Sequence, residues 1–143
     1  YKGYFDLLEQ LARVNKKRIT FKKFEQFVNN LHDNHIIIVI EDEHKTQIIA
    51  SGTIFIKRKT NLSKVAHIED VVVHKNYRGT GVGRALIHHL ANIAIKHGCH
   101  NATISRRLST IPFYSKTGNK ESEIEMISRS EFHPYDYEVS DFL

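Results

Sequence analysis

The feature that most limits what this chain can become is Arg78-Gly79-Thr80-Gly81-Val82-Gly83, set between an extended apolar run and an amphipathic stretch. Glycines at alternate positions open backbone conformations closed to other residues and let successive N–H groups point into one concavity. The stretch that follows carries Leu86, Ile87, Leu90, Ile93 and Ala94 on one helical face and ends on Lys96, His97 and Gly98. A helix there would aim the positive end of its dipole at the same concavity. Strand, glycine turn and helix in this order make either a phosphate cradle or a plain strand-to-helix connection. Two nucleotide-binding patterns fall away: no Gly-Lys-Ser/Thr closes the turn as in a P-loop, and no acidic residue ends a following strand as in a dinucleotide fold.

The remaining periodicities predict what surrounds this unit. Tyr4, Leu7, Leu8, Leu11 and Val14 recur at helical spacing, and a second helix reads Phe21, Phe24, Phe27, Val28, Leu31 behind the N-cap Thr20. Ile36–Ile40 and Gln47–Lys57 read as strands joined by the polar stretch Glu41–Thr46, an antiparallel hairpin, and Val65–His74 as a third strand. Ala102–Ser105 predicts a short buried strand, Ile111–Lys116 a short helix closed by Gly118, and Ser122–Ser128 a last strand. The order is ααββ-βα-βα-β, an α/β (α+β) layer structure with a mixed sheet. With 143 residues, one domain accounts for the whole chain, and residues 130–143 form a tail with no assigned element. Tyr1 stands where an initiator Met would, so the N-terminus reads as trimmed.

Composition narrows the partners. No apolar run approaches the ~20 residues that span a bilayer, so no membrane segment is expected. The single cysteine, Cys99, allows no intrachain disulfide and suits a reducing, cytoplasmic setting. A net charge of +5 and a pI near 9.3 fit an anionic partner. The basic residues fall in short scattered groups without the interleaved aromatics of a nucleic-acid binder, so anionic small molecules satisfy them equally well. Ten histidines include His32/His35, His88-His89 and His97-Gly98-Cys99-His100, but none has the spacing of a zinc motif and no metal is expected.

Arg78-x-x-Gly81-x-Gly83, between a long strand and an amphipathic helix, resembles the Arg/Gln-x-x-Gly-x-Gly/Ala signature of the GNAT acetyltransferase superfamily. The strand His67-Ile68-Glu69-Asp70-Val71-Val72-Val73 resembles in particular the members that acetylate the amine of glucosamine 6-phosphate. So do Gly52–Lys59, His97-Gly98-Cys99, Phe113-Tyr114-Ser115-Lys116 and Glu125-Met126, a likeness running from about Phe5 to Arg129. The resemblance implies a GNAT fold, a mixed, mostly antiparallel twisted sheet flanked by helices. It also implies acetyl-CoA as cosubstrate, an amino-sugar phosphate as acceptor in a step toward UDP-N-acetylglucosamine, and a homodimer.

Residue by residue, it implies that backbone groups of Val71, Val72 and Val73 hold the pantetheine and thioester carbonyl, their side chains reading as core. Arg78, Gly79, Thr80, Gly81, Val82, Gly83 and Arg84 would take the pyrophosphate, with Thr110 near the CoA. Glu69 would orient or deprotonate the amine, Asp70 would line the same pocket, and Tyr114 would return a proton to the CoA thiolate. Strand alternation, by contrast, sets Glu69 and Asp70 on opposite faces of the sheet, so they should not act as one carboxylate pair. Lys59 and Arg129 match phosphate-binding positions, and ordinary solvated surface charge is their other reading. Cys99, entering a buried strand, reads as a small apolar residue and not as an acyl-carrying nucleophile, which favours direct transfer in a ternary complex.

The chain also departs from the pattern. Ser105 stands where the superfamily members in question carry a sugar-contacting Asp, and Thr110 where they carry Asn. Arg106 and Arg107 reverse the local charge, Asn119 replaces an aromatic, and Asn15–Arg18 puts basic residues where a threonine-bearing loop touches substrate. Two further readings therefore stay open: an acetyltransferase for another amine, and a catalytically degenerate basic module that binds CoA or nucleic acid.

Overall fold

The computed structural model describes residues 2–105, 120–122 and 125–129, with Ser105 and the last two segments described by their backbone. Helix α1 (Tyr4–Glu9) is followed by a 3₁₀ turn, Lys16–Arg18, and helix α2 (Phe21–Asn29). Then come β1 (His35–Asp42), β2 (Gln47–Arg58), β3 (Lys64–Val73), helix α3 (Val82–Lys96), β4 (Cys99–Ser105), β5 (Lys120–Ser122) and β6 (Glu125–Arg129). One sheet holds all six strands in the order β1-β2-β3-β4-β6-β5, antiparallel except for the β3–β4 pair. That parallel pair is the crossover that α3 makes possible, since parallel neighbours need a long connection.

Local chemistry accounts for most boundaries. Thr20 caps α2 by accepting from the Lys23 N–H at 3.3 Å. Gly98, at φ 74°, takes the left-handed turn that ends α3. The first helix is shorter than its spacing predicts: it stops at Glu9, not beyond Val14. The Gln10 side chain accepts from the backbone N–H of Lys75, and Lys16 reaches back to Asp6 and Glu9, so the chain turns away before Val14. The single last strand expected over Ser122–Ser128 is instead two, β5 and β6, paired antiparallel with Ser122 opposite Glu125. The helix expected at Ile111–Lys116 lies outside the described residues.

The two faces of the sheet are covered unequally. On one, Ala50, Ile54, Ile56, Ala66, Ile68, Ala102 and Ile104 meet Leu86, Leu90 and Ala94 of α3 in the main core, every one of them buried. On the other, Tyr4, Phe5 and Leu7 of α1 are buried, but α2 buries no residue, and Phe21 and Phe27 are 63% and 46% exposed. It rests on its neighbours through Phe24, whose ring meets those of Phe5 and Tyr4 at 5.0 and 5.6 Å, and through Phe27 against His35 at 6.1 Å.

Candidate active site

The site forms where β3 outruns its parallel neighbour. Pairing with β4 ends at Ile68 opposite Ile104, while β3 continues through Glu69, Asp70, Val71, Val72 and Val73. Backbone N–H and C=O groups on that side of β3 therefore have no ladder partner from β4 among the described residues, and can serve a ligand. The strand leads through the 3₁₀ turn Lys75–Tyr77 to Arg78 and the N-terminus of α3.

At that turn Gly79 and Gly81 adopt φ 78° and 86°, the left-handed region, and a Cβ built on either would meet nothing within 4 Å. Packing thus does not demand glycine here; backbone conformation and open space do. Gly81 is the N-cap of α3 and supplies no side-chain cap, so the first N–H groups of the helix keep their donor capacity. Gly83 lies buried in the first turn of α3 and serves helix packing, not turn geometry. The Arg78 Nε donates to the Val73 carbonyl at 3.1 Å, tying the turn to the strand end, and the Thr80 hydroxyl donates to the Tyr77 carbonyl at 2.5 Å. Tyr77 in turn donates to Asp42 at 2.5 Å and holds that carboxyl below the usual range. Open space, an uncapped helix start and left-handed glycines together fit a pyrophosphate.

Strand alternation fails at Glu69 and Asp70. Glu69 pairs with Thr53 and Val72 with Ser51, so Asp70 and Val71 together oppose the single residue Gly52: a β-bulge. Asp70 takes φ 53°, a conformation Asp tolerates better than most residues. Val71 packs toward α3, while Asp70 opens on a cavity beside Thr53, on the face that Glu69 shares. The two carboxyl groups are therefore neighbours, not opposites. Partial burial, and then the charge of Glu69, hold the Asp70 carboxyl above the usual carboxylate range. Gly52, opposite the bulge, lets α3 pack close to the sheet, because a Cβ there would come within 2.8 Å of Leu90 Cδ1 and 3.6 Å of Val71.

Glu69 has a partner that sequence reasoning did not assign. The His67 Nε2 lies 2.8 Å from its carboxylate, and the His67 Nδ1 lies 2.6 Å from the Thr103 hydroxyl on β4. The ring thus bridges the Glu69 carboxylate and the Thr103 hydroxyl, which fixes ring and carboxylate together. The i, i+2 spacing of His67 and Glu69 was the available signal.

Of the other residues singled out, Val72 and Val73 are buried and Val71 half-buried, as core side chains should be. Arg84 lies in the first turn of α3. Lys59 is not brought to this site: its N–H bonds Ser63 in the β2–β3 hairpin, six residues beyond Thr53, or about 20 Å along the strand. Thr110 and Tyr114, with Arg106 and Arg107, lie outside the described residues, and so do the side chains of Ser105 and Arg129. Cys99 is buried, and burial pushes its thiol pKa up, against a role as nucleophile. No helix among the described residues is long and apolar enough to cross a membrane.

Among the described residues β3 continues past its pairing with β4 and feeds a glycine turn that starts α3, a site suited to a phosphate-bearing ligand. The chain belongs to the acetyltransferase (GNAT) family, whose family model matches residues 2–118. Among its relatives, the glucosamine 6-phosphate N-acetyltransferase of Arabidopsis thaliana is 32% identical over 130 residues, 87% of this chain and 86% of that protein. Glucosamine 6-phosphate N-acetyltransferase 1 of Dictyostelium discoideum is also 32% identical, across 87% of this chain and 81% of its own length. The crystal structure of the Arabidopsis enzyme superposes with a TM-score of 0.80 at 31% identity, covering 86% of each chain. A Trypanosoma brucei acetyltransferase follows at 0.77 and 27% identity, covering 85% of this chain and 86% of its own.

Proposed function

We propose that this protein transfers the acetyl group of acetyl-CoA directly to the amine of D-glucosamine 6-phosphate. The observation that carries this reading is the run of relatives of that name at 32% identity over 87% of the chain. The bulged strand and glycine turn described above are the parts such a reaction needs.

Arg78 to Arg84 take the pyrophosphate, chiefly through backbone N–H groups and the start of α3. The free edge of β3 at Val71–Val73 aligns the thioester, and its N–H groups meet the charge that develops on the carbonyl oxygen. The acceptor arrives as an ammonium. Glu69, held by His67, takes one of its protons, and Asp70 orients the nitrogen. The freed lone pair attacks the carbonyl carbon, the C–S bond breaks, Tyr114 protonates the departing thiolate, and the second amine proton, lost as the amide forms, returns the tyrosinate to its phenol. Thr110 belongs to the CoA side, while Ser105 and Arg129 belong to the acceptor side. The family resemblance implies a homodimer, the single cysteine suits the cytoplasm, and the product would lead toward UDP-N-acetylglucosamine.

A second reading has its own observation: Ser105, Arg106 and Arg107 replace acidic positions beside the acceptor, which suits a different amine. Incubation with acetyl-CoA and glucosamine 6-phosphate separates the two. N-acetylglucosamine 6-phosphate is the product expected by mass spectrometry; its absence, with CoA binding intact, sinks the first reading in favour of the second.

A further inference from the structure

The cavity into which Asp70 opens has a volume of about 400 Å³, within the roughly 300–1,000 Å³ of small-molecule sites. It lies between α1, α2 and the sheet face opposite α3. Its walls are ring surfaces, chiefly Tyr4, Phe5, Phe24 and Phe55. Arg18, Lys23 and Asp70 bring charge to it, and His35 adds a titratable ring stacked on Phe55 at 4.2 Å.

The two cations are not equivalent to their basic neighbours. Lys16 is taken by Asp6 and Glu9, whereas the Arg18 guanidinium has no carboxylate partner among the described residues. The Lys23 ammonium lies 3.3 Å from the Arg18 carbonyl, which leaves its charge unneutralised. Both residues flank the capped start of α2, whose dipole adds positive potential. An acidic group and two unpaired cations lining one aromatic cavity match a molecule with an amine, an anionic group and a body whose C–H faces stack on rings. Lys59, one of the two positions expected to bind phosphate, stands at the far end of β2, so it does not supply a charge here.

We propose that this cavity is the acceptor pocket, that Asp70 holds the amine, and that Arg18 and Lys23 form the phosphate subsite that makes this enzyme prefer a phosphorylated amine. The inference rests on glucosamine 6-phosphate being the acceptor. The test compares kcat/KM for glucosamine 6-phosphate and for unphosphorylated glucosamine, in the wild type, Arg18→Ala, Lys23→Ala and the double variant. Each charged hydrogen bond lost should cost roughly tenfold on the phosphorylated substrate, about 10²-fold in the double variant, and under threefold on glucosamine. Arg18→Lys should fall between, because it keeps the charge but loses the planar fork. Acetyl-CoA affinity should not change. Turnover of glucosamine 6-phosphate with its preference over glucosamine unchanged in the double variant overturns the subsite alone. So does an equal loss on both substrates. No turnover of glucosamine 6-phosphate by the wild type overturns the subsite and the acceptor assignment together.

Discussion

The two faces of the sheet divide the labour of the molecule, and they are built to different standards. Against α3, aliphatic side chains such as Ile54, Ile68, Leu86 and Leu90 are at most 1% exposed and leave little freedom. Against α1 and α2, rings enclose a cavity, and α2 leaves Phe21, Phe27 and Val28 in solvent. The tight face anchors the helix whose N-terminus we assign to the cofactor. The loose face carries the cavity we propose for the acceptor. A shared cofactor calls for a rigid cradle, while an acceptor pocket can vary in its walls at small cost to the fold. Strand β3 belongs to both: its bulge turns Val71 toward α3 and Asp70 toward the cavity.

The largest effect that would break this division lies at the shared strand. Glu69→Gln keeps the shape and removes the proton acceptor, so kcat should fall about 10²–10⁴-fold with acetyl-CoA affinity unchanged, measured by steady-state kinetics and calorimetry. An unchanged kcat would move the base elsewhere. Next in size is packing: Leu90→Ala should cost about 2–5 kcal/mol of unfolding free energy, whereas Phe24→Ala, on the half-covered side, should cost less than half as much. Equal losses in urea titrations would mean the faces are equally packed. Gly81→Ala forces a side chain into the left-handed region at about 1 kcal/mol and crowds the pyrophosphate, raising KM for acetyl-CoA but not for the acceptor. A change in acceptor KM alone would contradict the cofactor assignment.

The smallest effect concerns Asp70. Its carboxyl pKa is raised in the folded state by burial and by Glu69, so its ionised form opposes folding above the ordinary carboxylate range and ceases to do so in acid. Asp70→Asn, which tolerates the same φ, should therefore raise Tm at neutral pH while lowering activity. That gain should close as pH falls through the carboxylate range. A lower Tm at neutral pH would show that the charge is needed for the fold.

Much of this was legible beforehand, and the two faces explain where it stopped. The turn Arg78–Gly83 and the apolar face of α3 follow local rules, glycine conformation and helical period, and both were readable. The bulge was not, because period-2 alternation carries Glu69 and Asp70 to opposite faces unless a residue is inserted; Gly52, a glycine inside a strand, was its one local sign. The cavity depends on where α1 ends and how α2 leans, both set by contacts distant in sequence, such as Lys75 to Gln10. Arg18 was read only as part of the basic stretch Asn15–Arg18 that replaces a substrate-touching loop, and Lys23 carried no signal of its own. His67 and Glu69 share a face by spacing, but Thr103 joins them only through the β3–β4 register.

The central claim is that β3 presents both substrates at once, cofactor along its free edge and acceptor on the cavity side. Two-substrate initial-rate kinetics test it most directly. Reciprocal plots against acetyl-CoA at several fixed concentrations of glucosamine 6-phosphate should intersect, as a ternary complex requires. Parallel lines, with thiol released before acceptor is added, would mean an acetylated enzyme and would contradict it.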